Sequence, residues 1–156
     1  MKSLHGFEKH DSKLLVRDKG KLLYYKGRQL GKSPRHTQMG LAIADKPEGP
    51  YVKHIDNPVI PGNHEVLVWP QGTGVAAMIG TTGPKKITRC LMYSEDGLTF
   101  TRTHDVIKSP HAPGAYSPEA FTNSNEGEQI KWGVHIGKQK KSLPFIERFD
   151  LKTQKP

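Results

Sequence analysis

The sequence has little cysteine and no long apolar segment. Cys90 is its single cysteine, which excludes an internal disulfide, and its place in an apolar run predicts a buried small hydrophobe. No run approaches the ~18 apolar residues of a membrane helix, and the first ten residues lack the apolar centre of a signal peptide. Helical periodicity is nowhere convincing, and 16 glycines with 12 prolines favour short strands joined by turns.

The charge is strongly basic, with 24 Lys and Arg against 15 Asp and Glu, a formal net charge of +9. Such a balance favours a polyanionic partner, either nucleic acid or an acidic or sulfated glycan, and the alternative is an ordinary solvated surface. No helix-turn-helix pattern, zinc-ligand spacing or RNP-like aromatic strand accompanies the charge. We therefore expect neither nucleic acid nor a membrane as the partner.

The apolar runs predict an all-β chain in three similar rounds. Strands are expected at 14–17, 21–26, 39–44 and 51–54, then at 65–69, 74–80, 87–93 and 99–103, and finally at 116–122, 130–137 and 144–151. Equivalent strands end at Gly27, Gly80 and Gly137, which gives a period near 50 residues. About four strands per round is typical of a β-propeller, with Tyr51 and Phe100 packed between neighbouring blades. The alternative is an all-β sandwich whose similar hairpins are a coincidence.

The rounds define one domain, 1–156, with blade-like units at about 10–56, 63–105 and 114–152. Known propellers have at least about four blades, so three are too few to close a ring. The open edges would leave unpaired backbone and exposed apolar surface. We therefore expect either that the chain is the C-terminal portion of a longer one or that a partner supplies strands.

Two histidine–acid steps precede apolar strands, and they are the main candidates for chemistry. His64-Glu65 stands directly before the run 66–69, and His10-Asp11 precedes the run 14–16. A histidine with a pKa near ~6.5 can donate a proton at neutral pH, and a nearby carboxylate would orient the imidazole and favour its charged form. The alternatives are a satisfied core or surface histidine, a turn-forming aspartate and a solvated strand-end glutamate.

The order of several short motifs resembles glycoside hydrolase family 117. The motifs are His10-Asp11, Leu23 to Gly27, Gly40 to Lys53, Asn57-Pro58-Val59-Ile60, His64-Glu65-Val66, Trp69-Pro70 and Gly83-Pro84. The resemblance runs from about His10 to about Leu151, and it is specific as an ordered series rather than in any single piece. It implies a partial five-bladed propeller of about three blades, each of up to four antiparallel strands, related to family 43. It also implies exo-acting, inverting removal of α-1,3-linked 3,6-anhydro-L-galactose from agar-type oligosaccharides.

The resemblance also implies roles for individual residues. His64 matches the general acid, Asp11 the aspartate that tunes the acid and holds the sugar, and Glu65 an adjacent sugar ligand. The family's base is an aspartate upstream of the matched region, and no residue of this chain matches it. Ser12 also stands where a proline is expected. Whether the chain is an enzyme on its own therefore stays open, and a non-catalytic glycan-binding module or a decayed enzyme is the alternative.

Four further residues are candidate sugar contacts, each with a structural alternative. His10 neighbours Asp11, Trp69 could stack on a sugar or fill the core, His111 lies in a proline-containing loop, and Glu119 starts a third-round strand. No metal-ligand set is evident and no cofactor is expected, although the central channel leaves room for a water-bridged divalent cation. The resemblance implies an oligosaccharide partner, a homodimer in the full-length form and a periplasmic or extracellular location.

Overall fold

The structure, a computed structural model, describes residues 7–17, 20–33, 36–62, 66–82, 87–108, 114–115, 130–137 and 143–156. These ranges are built almost wholly of β-strands and turns, and they contain no helix long and apolar enough to cross a membrane. The strands are β1 (Phe7–Arg17), β2 (Gly20–Gln29), β3 (Gln38–Ala44), β4 (Val52–Lys53), β5 (Leu67–Gln71), β6 (Gly74–Thr82), β7 (Ile87–Ser94), β8 (Thr101–Val106), β9 (Gly114–Ala115), β10 (Trp132–Gly137), β11 (Phe145–Asp150) and β12 (Thr153–Gln154).

The strands form three antiparallel sheets in chain order. The first sheet has the order β1-β2-β3-β4, the middle sheet β5-β6-β7-β8 with β12 outside β8, and the third sheet β9-β10-β11. Meanders of this kind are the blades of a propeller, so the predicted fold class is confirmed. The strand predicted at 116–122 lies outside the described residues.

One strand differs from the expected pattern of up to four per blade. β12 returns from the third sheet to the middle sheet, where Thr153 pairs with Val106 and Gln154 with Asp105. The backbone N–H of Ile107 also donates to the carbonyl of Lys152, 2.9 Å away. β12 lies beyond the predicted unit 114–152, and the three predicted units stay a prediction.

The middle sheet is buried on both faces, which explains the unbroken apolar run of β6. Val75, Ala77 and Ile79 point into a first core cluster that also contains Leu22, Tyr24 and Leu41 of the first sheet. The intervening residues Ala76 and Met78 point into a second cluster that includes Trp69, Leu91 and Ile130. Successive side chains of a strand face opposite sides. A strand covered on both sides therefore needs apolar residues at successive positions, as β6 has from Val75 to Ile79.

The first two sheets are joined through Tyr24 of β2 and the hairpin between β7 and β8. The Tyr24 hydroxyl donates a buried hydrogen bond of 2.6 Å to the carbonyl of Gly97. Its ring meets that of Phe100 edge to face, with 6.2 Å between the ring centroids and an angle of 84° between the planes. The predicted packing of Phe100 between blades is thus confirmed. Tyr51 lies half-buried directly before β4, and its hydroxyl donates to the carbonyl of Pro47 at 2.7 Å.

The same hairpin is shaped by the carboxylate of Asp96. One oxygen, Oδ1, accepts from the backbone N–H groups of Leu98 and Thr99 at 2.8 and 2.9 Å and from the Ser94 hydroxyl at 2.7 Å. Aspartate commonly organises turns through such local bonds. Because they stabilise the charged form, with the backbone N–H of Thr99 the largest contributor, the pKa of Asp96 lies below its ordinary value.

The side chain of Asn57 covers part of the edge of β3. Its Oδ1 accepts from the N–H of Leu41 at 2.7 Å, and its Nδ2 donates to the Leu41 carbonyl at 2.9 Å. The amide therefore imitates the paired peptide of a neighbouring strand. Nδ2 also lies 3.3 Å from the Tyr25 hydroxyl. The Asn57–Ile60 motif of the sequence thus has a structural reason, since β4 pairs with only a short part of β3.

Candidate active site

The two histidine–acid steps predicted from the sequence belong, by position in the chain, to the first strands of the first two sheets: His10-Asp11 lies in β1, and His64-Glu65 comes shortly before β5. β1 and β5 begin the first and middle sheets, and the two strands are in contact. Blades of a propeller are related by rotation about the central channel, so their first strands run side by side in the same direction. The beginnings of β1 and β5 therefore lie at one rim of the channel, which we call the site rim.

The structure places a β-bulge at Asp11. His10 pairs with Lys26 and Ser12 pairs with Tyr25, so Asp11 is the extra residue between two adjacent pairs of the β1–β2 ladder. A bulge redirects the chain locally, and bulges are over-represented beside active sites and at barrel rims. The histidine–acid step that was singled out in the sequence therefore coincides with a local irregularity of the inner strand. No feature of the sequence alone indicated the bulge.

Tight packing lies directly opposite this bulge. The Tyr25 ring lies over Gly40, where an added Cβ would be only 2.6 Å from Cζ of the ring. Gly40 is the residue of β3 that pairs with Tyr25, and an aromatic ring over a cross-strand glycine fills the space the glycine leaves. Partial burial raises the pKa of Tyr25, so its hydroxyl stays protonated well beyond neutral pH. Tyr25 and Gly40 thus support the strand that carries Asp11.

The chain on either side of the second histidine–acid step is anchored in the core. Val66 is buried in the first cluster. A Cβ placed on Gly62 would lie 3.3 Å from Cγ2 of Val66 and 3.4 Å from Cβ of Ile79. Gly62 also has φ of +154°, a backbone conformation that residues with a Cβ rarely adopt. His64 and Glu65 themselves lie outside the described residues.

The remaining predicted sugar contacts are placed as follows. Trp69 is 2% exposed and packs in the second cluster, a position for core packing rather than for a sugar. Its indole Nε1 is buried without a hydrogen-bond partner among the described residues. His111 and Glu119 lie outside the described residues. His10 lies beside the bulge in β1.

A shallow cleft of about 220 Å³ lies on the middle sheet and is lined by Gln71, Tyr93, Thr103 and His104 among others. Gln71 is the last residue of β5, so the cleft lies away from the site rim. Asp105, which follows His104, is engaged by the guanidinium of Arg102 through Nε at 2.9 Å and through Nη2. The cleft therefore provides no further residue for the predicted roles of His64 as acid and Asp11 as the aspartate that tunes it.

Metal and thiol chemistry find no support at the described positions. The described ranges contain no group of three His, Cys, Asp or Glu side chains that could hold a metal ion. Cys90 is buried in the first cluster, as predicted, and burial raises the pKa of its thiol. A buried thiol with a raised pKa is a packing residue rather than a nucleophile.

Comparison with solved structures gives a relative for nearly the whole chain. The chain is similar to Zg3597, described as a family 117 glycoside hydrolase produced by the marine bacterium Zobellia galactanivorans, with 32% sequence identity and a TM-score of 0.71. The match covers 92% of this chain, which spans 42% of the length of Zg3597. Neither protein-family models nor curated proteins match. The resemblance predicted from the ordered motifs is confirmed.

Proposed function

We propose that this glycoside hydrolase-like chain is part of an exo-acting, inverting glycosidase, because it is similar to a family 117 enzyme over 92% of its length. The proposed reaction removes α-1,3-linked 3,6-anhydro-L-galactose from the end of agar-type oligosaccharides. Because the chain spans 42% of Zg3597, the activity is proposed for the complete propeller. The observation that carries the proposal is that likeness, together with the bulge that the inner strand forms at Asp11.

In the proposed mechanism, two carboxyl-bearing residues and one imidazole have separate roles. His64 protonates the glycosidic oxygen of the leaving sugar, and Asp11 orients the imidazole and favours its protonated form. Glu65 binds hydroxyl groups of the terminal sugar. Inversion also needs a base on the opposite face of the ring, with about 6.5–9.5 Å between acid and base to admit a water. We assign no residue of this chain to that base.

The absence of a matched base favours a second candidate function. A propeller portion that keeps Asp11, His64 and Glu65 but lacks the base could still bind the terminal sugar. It would then be a glycan-binding module or a decayed enzyme. Binding without hydrolysis is its signature, since the groups that hold the sugar and those that activate water are separate.

Calorimetry and product analysis with neoagaro-oligosaccharides separate the candidates. We expect the chain to bind these sugars, His64→Ala to weaken binding, and His54→Ala, on the outer side of the first sheet, to leave it unchanged. Release of anhydro-galactose, abolished by His64→Ala, would favour the hydrolase with its base present in the chain. Binding without release favours the module for the chain alone. If the chain neither binds nor releases sugar, the binding module is refuted. The hydrolase is refuted if the complete propeller releases no anhydro-galactose, or if its His64→Ala variant keeps wild-type turnover.

A further inference from the structure

Two basic residues, Lys26 and Arg28, lie near the end of β2 that belongs to the site rim. β2 runs antiparallel to β1, and Lys26 pairs with His10 near the beginning of β1, directly beside the bulge at Asp11. Both basic side chains are half-buried, and each interacts with a neighbouring group. Neither is therefore an ordinary, fully solvated surface charge.

Alternation along β2 decides which face of the first sheet the two basic residues belong to. Leu22 and Tyr24 are buried in the first core cluster, which joins the first two sheets. Lys26 and Arg28 occupy the next two alternate positions of β2, so they lie on the same face. On β3, Lys26 pairs with Met39, which is buried in the same cluster. The two basic residues therefore continue the face that the first sheet turns toward the middle sheet.

The chain that flanks the second histidine–acid step lies at the same end of this core. Val66, directly before β5, is buried in the first cluster, and a Cβ added to Gly62 would lie 3.3 Å from its Cγ2. The end of β2 and the beginning of β5 both belong to the site rim, because β2 is antiparallel to β1. Lys26 is thus on the face that the first sheet turns to the middle sheet, at the end where the chain enters β5.

A cation at this position suits an anionic substituent better than a neutral sugar. Sugar hydroxyl groups can be bound by amides and other uncharged groups, whereas a sulfate ester carries a full negative charge and accepts through several oxygens. Lys26 and Arg28 are two residues apart on one face, about 7 Å along the strand, so both can reach one sulfate group. The formal net charge of +9 also attracts anionic saccharides from a distance. Arg28 pairs with the acidic residue Glu8, so the inference depends on Lys26.

We propose that Lys26 determines specificity by binding a sulfate ester of the oligosaccharide in the site, with Arg28 in support. The substrate class of the proposed function is then a sulfated agar-type oligosaccharide rather than a neutral one. The inference rests on the proposed function for the location of the sugar. It adds a residue and a ligand chemistry that neither histidine–acid step supplies.

Calorimetry of the chain with two neoagaro-oligosaccharides of equal length, one sulfated and one neutral, tests the proposal. We expect the sulfated sugar to bind at least about tenfold more tightly, as one hydrogen bond between charged groups would give. Lys26→Gln should remove most of this preference, whereas Lys26→Arg should retain it. Lys21→Gln is the matched control, because Lys21 is also half-buried but lies at the other end of β2, at an alternate position of the opposite face.

Three outcomes would overturn the proposal. One is that the chain binds the sulfated and neutral sugars equally, or binds neither. The second is that Lys26→Gln and Lys21→Gln reduce the preference equally, because the basic surface would then act as a whole. The third is equally tight binding of an oligogalacturonate of the same length, because any polyanion would then suffice. Circular dichroism checks that Lys26→Gln folds; Arg28→Gln, which should also weaken the preference, tests the same pair if it does not.

The proposal and the proposed function fail on different results. Binding of both sugars without preference, with release of anhydro-galactose by the complete propeller, would refute the role of Lys26 and leave the hydrolase standing. A preference for the sulfated sugar that depends on Lys26, without release from either sugar by the complete propeller, would refute the hydrolase and leave the role of Lys26 standing.

Discussion

Replacing Gly97 by alanine should destabilise the junction between the first two sheets. Gly97 has φ of +76°, a conformation that disfavours any residue with a Cβ. An added Cβ would lie 2.7 Å from the Tyr24 hydroxyl oxygen and 2.9 Å from Cδ1 of Leu22. Both neighbours are core residues of the opposing sheet. The substitution therefore combines backbone strain with a steric clash at a buried hydrogen bond.

The magnitude follows from these separate terms. Left-handed strain costs roughly 1–2 kcal/mol, overpacking of a core typically ~1–3 kcal/mol, and loss of a buried hydrogen bond about 1 kcal/mol. Because relaxation lets these terms overlap, we expect about 3 kcal/mol for Gly97→Ala, against a typical total stability of roughly 5–15 kcal/mol. Urea unfolding followed by tryptophan fluorescence measures the change, since Trp69 is buried in the middle sheet.

A matched control isolates the clash from the strain. Gly31 has φ of +80°, and a Cβ added there would meet nothing within 4 Å. Gly31→Ala should therefore cost only the strain, about 1 kcal/mol. In a Tyr24→Phe background, Gly97→Ala should cost less, because the hydroxyl that blocks the Cβ is gone. Equal destabilisation by Gly97→Ala and Gly31→Ala would refute this account of the junction.

Three further changes test other parts of the fold. Asn57→Ala should lower the free energy of unfolding in urea by about 1–3 kcal/mol, because it exposes the Leu41 peptide. Asn57→Asp should cost at least as much, because a carboxylate cannot donate to the Leu41 carbonyl. If Asn57→Ala left the stability unchanged, Asn57 would not cover the edge of β3 as described. Because the pKa of Asp96 is lowered in the folded state, its carboxylate contributes fully to the stability above the unfolded pKa of about 3.9, and this contribution is lost as the pH falls through the lower folded pKa. Wild type should therefore lose more stability than Asp96→Asn on acidification below about pH 4. Parallel plots of stability against pH for the two proteins would contradict this. Removing residues 153–156 should speed hydrogen exchange at the backbone N–H of Asp105, which pairs with Gln154 and faces β12 by alternation from the bond between Ile107 and Lys152. Unchanged exchange there would argue against that pairing.

The sequence predicted the parts of the fold that depend on local pattern. The apolar run of β6 and the turn at Asp96 are readable because each depends on neighbours in the chain. Phe100 was predicted between blades because its hairpin repeats that of Tyr51. The third-round strand at 116–122 lies outside the described residues and stays a prediction.

What could not be predicted depends on pairing between distant segments. β12 has two polar residues and no apolar pattern, and it exists because β8 offers it an open edge. The bulge at Asp11 depends on the register of β1 against β2, which neither strand encodes alone. Asn57 acts through a peptide of β3 that is distant in sequence. The candidate site was therefore readable as residue types, whereas the irregularity that positions Asp11 was not.

The two halves of the candidate site are connected by the first core cluster. Leu15 follows the bulge on β1, Val66 directly follows Glu65, and both side chains are buried in this cluster. The relative position of Leu15 and Val66, which flank the two histidine–acid steps in the sequence, therefore depends on how the first two sheets pack, including the bond between Tyr24 and Gly97. Catalytic groups must be held to within a fraction of an ångström by their supporting residues. The sheet junction is consequently part of the proposed site, because a shift of one blade against the other would separate Asp11 from the imidazole it is proposed to orient.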